Sequence, residues 1–239
     1  MKTVKLLILG TIVLLFSATG CIENFTIHGN GIEATEARIT SDFKKVKSSG
    51  EYDVHITYGE EHEVVVKAES NLIPYIETNV SGSSLNIDVR GLHNLRNRLP
   101  MEVYITTPNL EGVKQSGSGE ITTDYFYSDD FDIALSGSGN ITVAVETEKI
   151  AASISGSGKI AVSGVAEDAR FSISGSGNID AYDLMLETCN AKISGSGDMW
   201  VSVENFLHAT ISGSGNIFYY GNPGVETHIS GSGNVIHEN

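Results

Sequence analysis

Three charged side chains, Glu120, Lys159 and Asp198, follow a Ser-Gly-Ser-Gly tetrapeptide at the same offset. An outward row of acids with a base is where polysaccharide cleavage by general acid–base chemistry would begin. If the tetrapeptides stack, however, each of the three lies about two layers, or ~10 Å, from the next. That spacing is too sparse for paired proton transfer. Asp129, Asp130 and Asp132 form the densest acidic group, but they sit in one turn beside no basic residue. His55, His62 and His93 lack zinc-ligand spacing, and the calcium-loop repeat Gly-Gly-x-Gly-x-Asp is absent. No catalytic site, metal or other cofactor is implied, and the chain reads as a non-enzyme.

Two thiols and a set of aromatics remain. Cys189 shares parity with Ala191 and Ile193, which points it into a core as a small apolar filler. Cys21 follows Ala18-Thr19-Gly20 and a largely apolar run, Leu6 to Phe16, that is preceded by Lys2 and Lys5. The run is too short to span a bilayer and reads as an export signal. Trp200, Phe218 and Ile236 occupy equivalent outward positions in three successive units, with Tyr182 and Tyr220 two residues further along the same face. Stacked ~4.8 Å apart, they would form an apolar contact stripe for sugar rings, a partner protein or a second copy of the chain.

What must position these residues is a repeat. Ser-Gly-Ser-Gly begins at Ser116, Ser136, Ser155, Ser174, Ser194, Ser212 and Ser230, at intervals of 20, 19, 19, 20, 18 and 18 residues. Units this small cannot bury an apolar face alone, so a continuous core forms only when they pile up. Within a unit the apolar period is two: Ile133, Leu135, Gly137, Gly139, Ile141, Val143 and Val145 share one parity. That is strand. The polar stretch Glu146 to Lys149 shifts the parity by one before Ile150, Ala152 and Ile154, and so reads as a turn. Two inward glycines per unit suggest a corner or a narrow wall. The outward serines and the Asn-rich position after them are expected to hydrogen-bond up and down their rows.

The expected fold is all-β, a right-handed parallel β-helix with about 18–20 residues per coil and an irregular N-terminal β cap. An antiparallel meander with the motifs as hairpin turns is the competing arrangement. Residues 1–20 are assigned to a removed signal peptide, 21–40 to a lipid-anchored tether, 41–115 to the N-terminal β region and cap, and 116–239 to the repeat β-helix. In the cap region, Tyr52 to Tyr58 and Val64 to Val66 read as a hairpin, with further strands at Tyr75–Val80, Leu85–Val89 and Val103–Thr107. Val80 to Leu85 looks like a decayed motif copy, and Arg90 to Pro100 like a loop.

Charge narrows the partners. The chain holds 15 basic and 30 acidic residues, and losing residues 1–20 removes two lysines and no acid, leaving 13 against 30. Nucleic acid is a poor partner for such a surface.

Ser41-Asp42-Phe43, Tyr52 to Thr57, Asn71 to Thr78 and the Ser-Gly-Ser-Gly-Asn-Ile repeats resemble the auto-transporter adhesin family with a head GIN domain. The resemblance covers roughly residues 40–239. It implies a β-helical fold similar to pectin-lyase-like proteins, a cell-envelope location and an adhesive role, with no catalytic residues to carry over. Cys21 and the residues before it resemble a bacterial lipobox, with Ala18 where leucine is usual, which implies acylation of the Cys21 thiol. The function expected is that of a non-catalytic envelope lipoprotein with an adhesion or surface-interaction head. It would be exported and membrane-anchored through lipid, on the periplasmic face of the outer membrane or on the cell surface. Its partner would be an envelope or surface glycan or protein, with a homo-oligomer also open. A structural envelope scaffold and a polysaccharide-active β-helical enzyme are the alternatives.

Overall fold

The computed structural model describes residues 25–238. Cys21 and the segment read from the sequence as an export signal lie outside them.

The repeats form long strands that run from one motif to the next: β11 (Glu120–Gly137), β12 (Asn140–Gly156), β13 (Lys159–Gly175), β14 (Asn178–Gly195) and β15 (Met199–Gly213). Each pairs in parallel with its sequence neighbour, so the chain winds as a β-solenoid. The last turn is made by β16 (Ile217–Tyr220), β17 (Gly224–Gly231) and β18 (Val235–His237). The motif serines are in register throughout, Ser116 with Ser136, then Ser155, Ser174, Ser194, Ser212 and Ser230. Parallel pairing of every unit excludes the meander.

The core is a set of vertical ladders. Ile121, Ile141, Ile160, Ile179, Met199 and Ile217 are stacked in register and fully buried. Leu135, Ile154, Ile173, Ile193 and Ile211 form a second. Burying one such side chain contributes about 1.5–3 kcal/mol, which the exposed single unit could not collect.

The motif is a corner, but only its second glycine faces inward. Gly139 is buried, whereas Gly137 is partly exposed and carries φ 119°. The turn expected at Glu146–Lys149 is a corner inside β12: Thr147 is buried and donates its hydroxyl to the Asp129 carbonyl at 3.0 Å, and the two exposed residues Glu148 and Lys149 change the parity. Backbone pairing continues across that bend because the neighbouring coil bends at the same place.

The N-terminal part differs most from expectation. It holds β1 (Thr26–His28), β2 (Glu33–Arg38), β3 (Lys45–Gly50), β4 (Asp53–Tyr58), β5 (Glu63–Glu69), a 3-10 turn (Ile73–Tyr75), β6 (Ile76–Ser81), β7 (Ser84–Val89), β8 (Asn94–Arg96), β9 (Glu102–Thr107) and β10 (Gly112–Gly117). β4 and β5 are not a hairpin. β9 lies between them, parallel to β4 and antiparallel to β5. β3 and β4 form a solenoid turn of their own, held between β7 and β9 on one side and β10 and β11 on the other. The degenerate motif copy is therefore Ser49-Gly50, in register with Ser116-Gly117. Ser81 to Ser84 is instead the tight turn of the antiparallel β6–β7 pair, with Gly82 at φ 60°.

Residues expected to be a tether and a loop are paired. β2 runs antiparallel to β5, and β1 runs parallel to β8, which lies within Arg90–Pro100. Glu69 ties these pieces together. Its buried carboxylate accepts from the amides of Gly31 and of Arg98, the latter at 2.7 Å. A Cβ at Gly29 would fall on that carboxylate, so only glycine fits there.

Candidate functional site

The outward row that carries the aromatics runs the length of the solenoid. Thr122, Thr142, Ala161, Asp180, Trp200, Phe218 and Ile236 are in register, one per turn. Alternation on β15 and β16 turns Met199 and Ile217 inward, and so turns Trp200 and Phe218 outward. Their rings stack with centroids 5.3 Å apart and planes at 8°. Ile236, 37% exposed, ends the column.

The two flanking tyrosines do not join one column. Tyr220 is opposite Ser202 and exposed, whereas Tyr182 lies where the β14–β15 register slips between Ala181 and Met185. A bulge leaves Tyr182 without a cross-strand partner and re-aims its side chain. Its hydroxyl donates to the Glu238 carboxylate, so the C-terminal segment covers part of this face. Tyr219, absent from the sequence-level candidates, stacks on His237 at 4.9 Å and 13°. Both belong to neighbouring turns in register, a relation visible only once the last repeat is aligned with its shortened strand.

The same row continues past the repeats into the N-terminal turns, through His55 opposite Thr122 and Tyr104 opposite His55. The two rings lie 5.1 Å apart. Glu102 accepts from the Tyr104 hydroxyl at 2.9 Å and holds its ionisation above the ordinary tyrosine value. Nothing in the linear sequence joins His55 to Tyr104, since their contact depends on the insertion of β9.

The charged residues that could have worked together stay apart. Glu120 and Lys159 are separated by Asn140 in their row, and Lys159 is paired with Asp180 at 3.0 Å. Asp198 accepts from the amides of Asn216. His55, His62 and His93 occupy separate surroundings: His62 is near Asp42, and His93 contacts the Arg90 carbonyl. No group of three or more His, Cys, Asp and Glu able to hold a metal occurs among the described residues. Cys189 is buried between Ala169 and Leu207, and burial pushes its thiol up to about 12. A thiol held protonated in an apolar core is a poor nucleophile.

The fold and this row define a β-solenoid with a one-sided aromatic column. Residues 42–223 match the family described as "Putative auto-transporter adhesin, head GIN domain", and the chain belongs to that family. Its fold is similar to that of a "putative adhesin" from Bacteroides fragilis NCTC 9343, with TM-score 0.84 and 23% identity, over 89% of this chain and 100% of that one. It is also similar to a "putative lipid binding protein" from Parabacteroides distasonis ATCC 8503, with TM-score 0.77 and 25% identity, over 90% of this chain and 100% of that one. A third similar structure is a "putative adhesin" from Parabacteroides merdae ATCC 43184, with TM-score 0.75 and 25% identity over the same shares. None of the curated proteins compared with the chain matches it.

Proposed function

We propose that this chain is a non-catalytic adhesion or surface-interaction head of the cell envelope, held on the membrane by lipid on Cys21. The observation that carries the reading is the stack of Trp200 on Phe218, continued by Ile236, on the outside of a rigid parallel ladder. Flat apolar rings held outward at fixed spacing suit the faces of sugar rings or a partner's apolar side chains. Membership of the adhesin family supports the reading. Lipidation of Cys21 with two or more chains would hold the head stably at a membrane surface, which a single chain does not.

A glycan array probed with the purified full-length chain and with Trp200→Ala tests the contact surface. Binding by the parent and its loss in Trp200→Ala, with thermal stability retained, is the expected result. Unchanged glycan binding and unchanged self-association in the variant would remove the column from the function. Protease added to whole cells tests display, because an adhesive head must be cut from outside. Cys21→Ser should release the chain from the membrane fraction.

A further inference from the structure

The repeat contains one residue type that its own structure leaves unexplained. The glycines are forced by contact with the previous coil, and the Asn position builds a ladder: Asn234 donates its amide N–H to Asn216 Oδ1 at 3.1 Å, and Asn216 donates to Asp198 Oδ1 at 2.8 Å. The serines do neither. Among the described residues the motif hydroxyls form no side-chain hydrogen bond within the protein, and from Ser118 onward every one is exposed. The expected hydrogen-bonded serine rows are absent, and two columns of hydroxyls point outward one coil apart.

A groove borders these columns. The outward row next to the first serine reads Lys114, Ala134, Ser153, Ser172, Lys192, Thr210 and His228, with Lys47 beyond Lys114. From Lys114 to His228 this row and both serine columns contain no carboxylate, in a chain with 30 acidic residues. Ala134, Ser153 and Ser172 form the floor of an open cavity of 510 Å³, flanked by Arg170 and Lys192. Asp132 at its rim is paired with Lys45 at 2.8 Å. Lys47, Lys114, Arg170 and Lys192 are exposed and form no ion pair among the described residues, as is true of Arg96, Arg98 and Lys149 elsewhere, whereas Lys44, Lys45, Lys67, Lys159 and Arg90 are each paired.

We propose that this strip binds an acidic polysaccharide lying along the solenoid axis, with its carboxylates on Arg170 and the lysines and its hydroxyls on the serine columns. A guanidinium matches a carboxylate in bidentate geometry, and unpaired cations on an otherwise acidic surface concentrate attraction where the groove lies. Exposed hydroxyls both donate and accept, as a sugar does. Single-stranded nucleic acid is less suited, because the one aromatic residue along this groove, Phe171, is buried in the core and offers bases no face to stack on. The proposal rests on the adhesion reading and adds a ligand class on a different face, across the motif corner from Trp200.

Binding of the full-length chain to polygalacturonate, with neutral dextran as comparison, tests it by calorimetry. The parent should bind polygalacturonate, more weakly as salt rises, and not dextran. Arg170→Glu with Lys192→Glu should weaken binding by about tenfold or more, since it reverses charge at the floor. Ser136→Asp, Ser174→Asp and Ser212→Asp together, two coils apart to avoid mutual repulsion, should do the same, and the matching alanine set should weaken it less. Circular dichroism establishes that each variant is folded. The two charge variants should keep any neutral-glycan binding that Trp200→Ala removes, which separates failure of this proposal from failure of the aromatic column. Equal binding of dextran, unchanged affinity in both folded charge variants, or binding only to phosphatidylglycerol vesicles or single-stranded DNA would overturn it.

Discussion

A Cβ placed on Gly156 would lie 2.3 Å from the carbonyl oxygen of Gly137 in the coil beneath. The two glycines are paired in register, and Gly156 has φ 135°. This relation repeats up the corner, where each first motif glycine would collide with the carbonyl of the one before it. Glycine at this corner is a condition of coil spacing, because a side chain would both strain its own backbone and push its neighbour away.

Gly156→Ala should therefore destabilise the fold by about 2 kcal/mol or more, from the strained φ and the collision together. Ser155→Ala, one residue earlier, should stay within about 0.5 kcal/mol. Thermal or chemical unfolding of both variants checks the contrast, and equal effects would contradict the steric account.

Asn216 both donates to Asp198 and accepts from Asn234, so it links three coils. Asn216→Ala should cost about 1–2 kcal/mol, because Asn234 loses its acceptor and Asp198 loses the side-chain donor, keeping only the backbone N–H at position 216. Asn140→Ala, whose side chain forms no comparable bond, should cost less. Denaturant midpoints of the two variants give the comparison.

The amide of Arg98, with those of Gly31 and Leu99, holds the Glu69 carboxyl below the ordinary carboxylate value. A depressed folded-state value means that the unfolded chain binds the proton more readily. The contribution is complete above the unfolded value of about 4.3 and disappears as pH falls through the lower folded value. Melting temperature should thus fall on acidification below about pH 4, and Glu69→Gln should melt lower at pH 7 and lose less on acidification. A parallel acid response in the variant would assign the effect to other groups.

Cys189 should resist a thiol reagent at pH 8 in the folded chain and react fully once unfolded, since burial pushes the thiol up to about 12. Absorbance of the released chromophore, with and without denaturant, measures this. Rapid labelling of the native chain would mean that the core opens at Ala169 and Leu207.

Much of this architecture was legible because a coil is a local object. The alternation around Ile141 and Ile154, the interval between motifs and the inward place of Cys189 are all properties of consecutive residues. Alignment of Trp200, Phe218 and Ile236 followed from counting from each motif. The position of Tyr182 was not legible, because a bulge interrupts the count between Ala181 and Met185. Nor was the hydrogen bonding of the serines, since parity sets which way a hydroxyl points but not whether a partner is within reach.

The amino-acid sequence by itself determined that the repeats are strands sharing one core, since only stacking buries the isoleucine parity, while the parallel pairing that excludes a meander was decided in the structure. The tertiary structure alone decided how the N-terminal half joins them. Alternation in Asp53–Tyr58 is satisfied equally by a hairpin with β5 or by insertion between β9 and β11, and the chain takes the second. The choice lies in backbone pairing between Val54, Val103 and Ile121, segments that local periodicity cannot order because each presents the same apolar face to the same core.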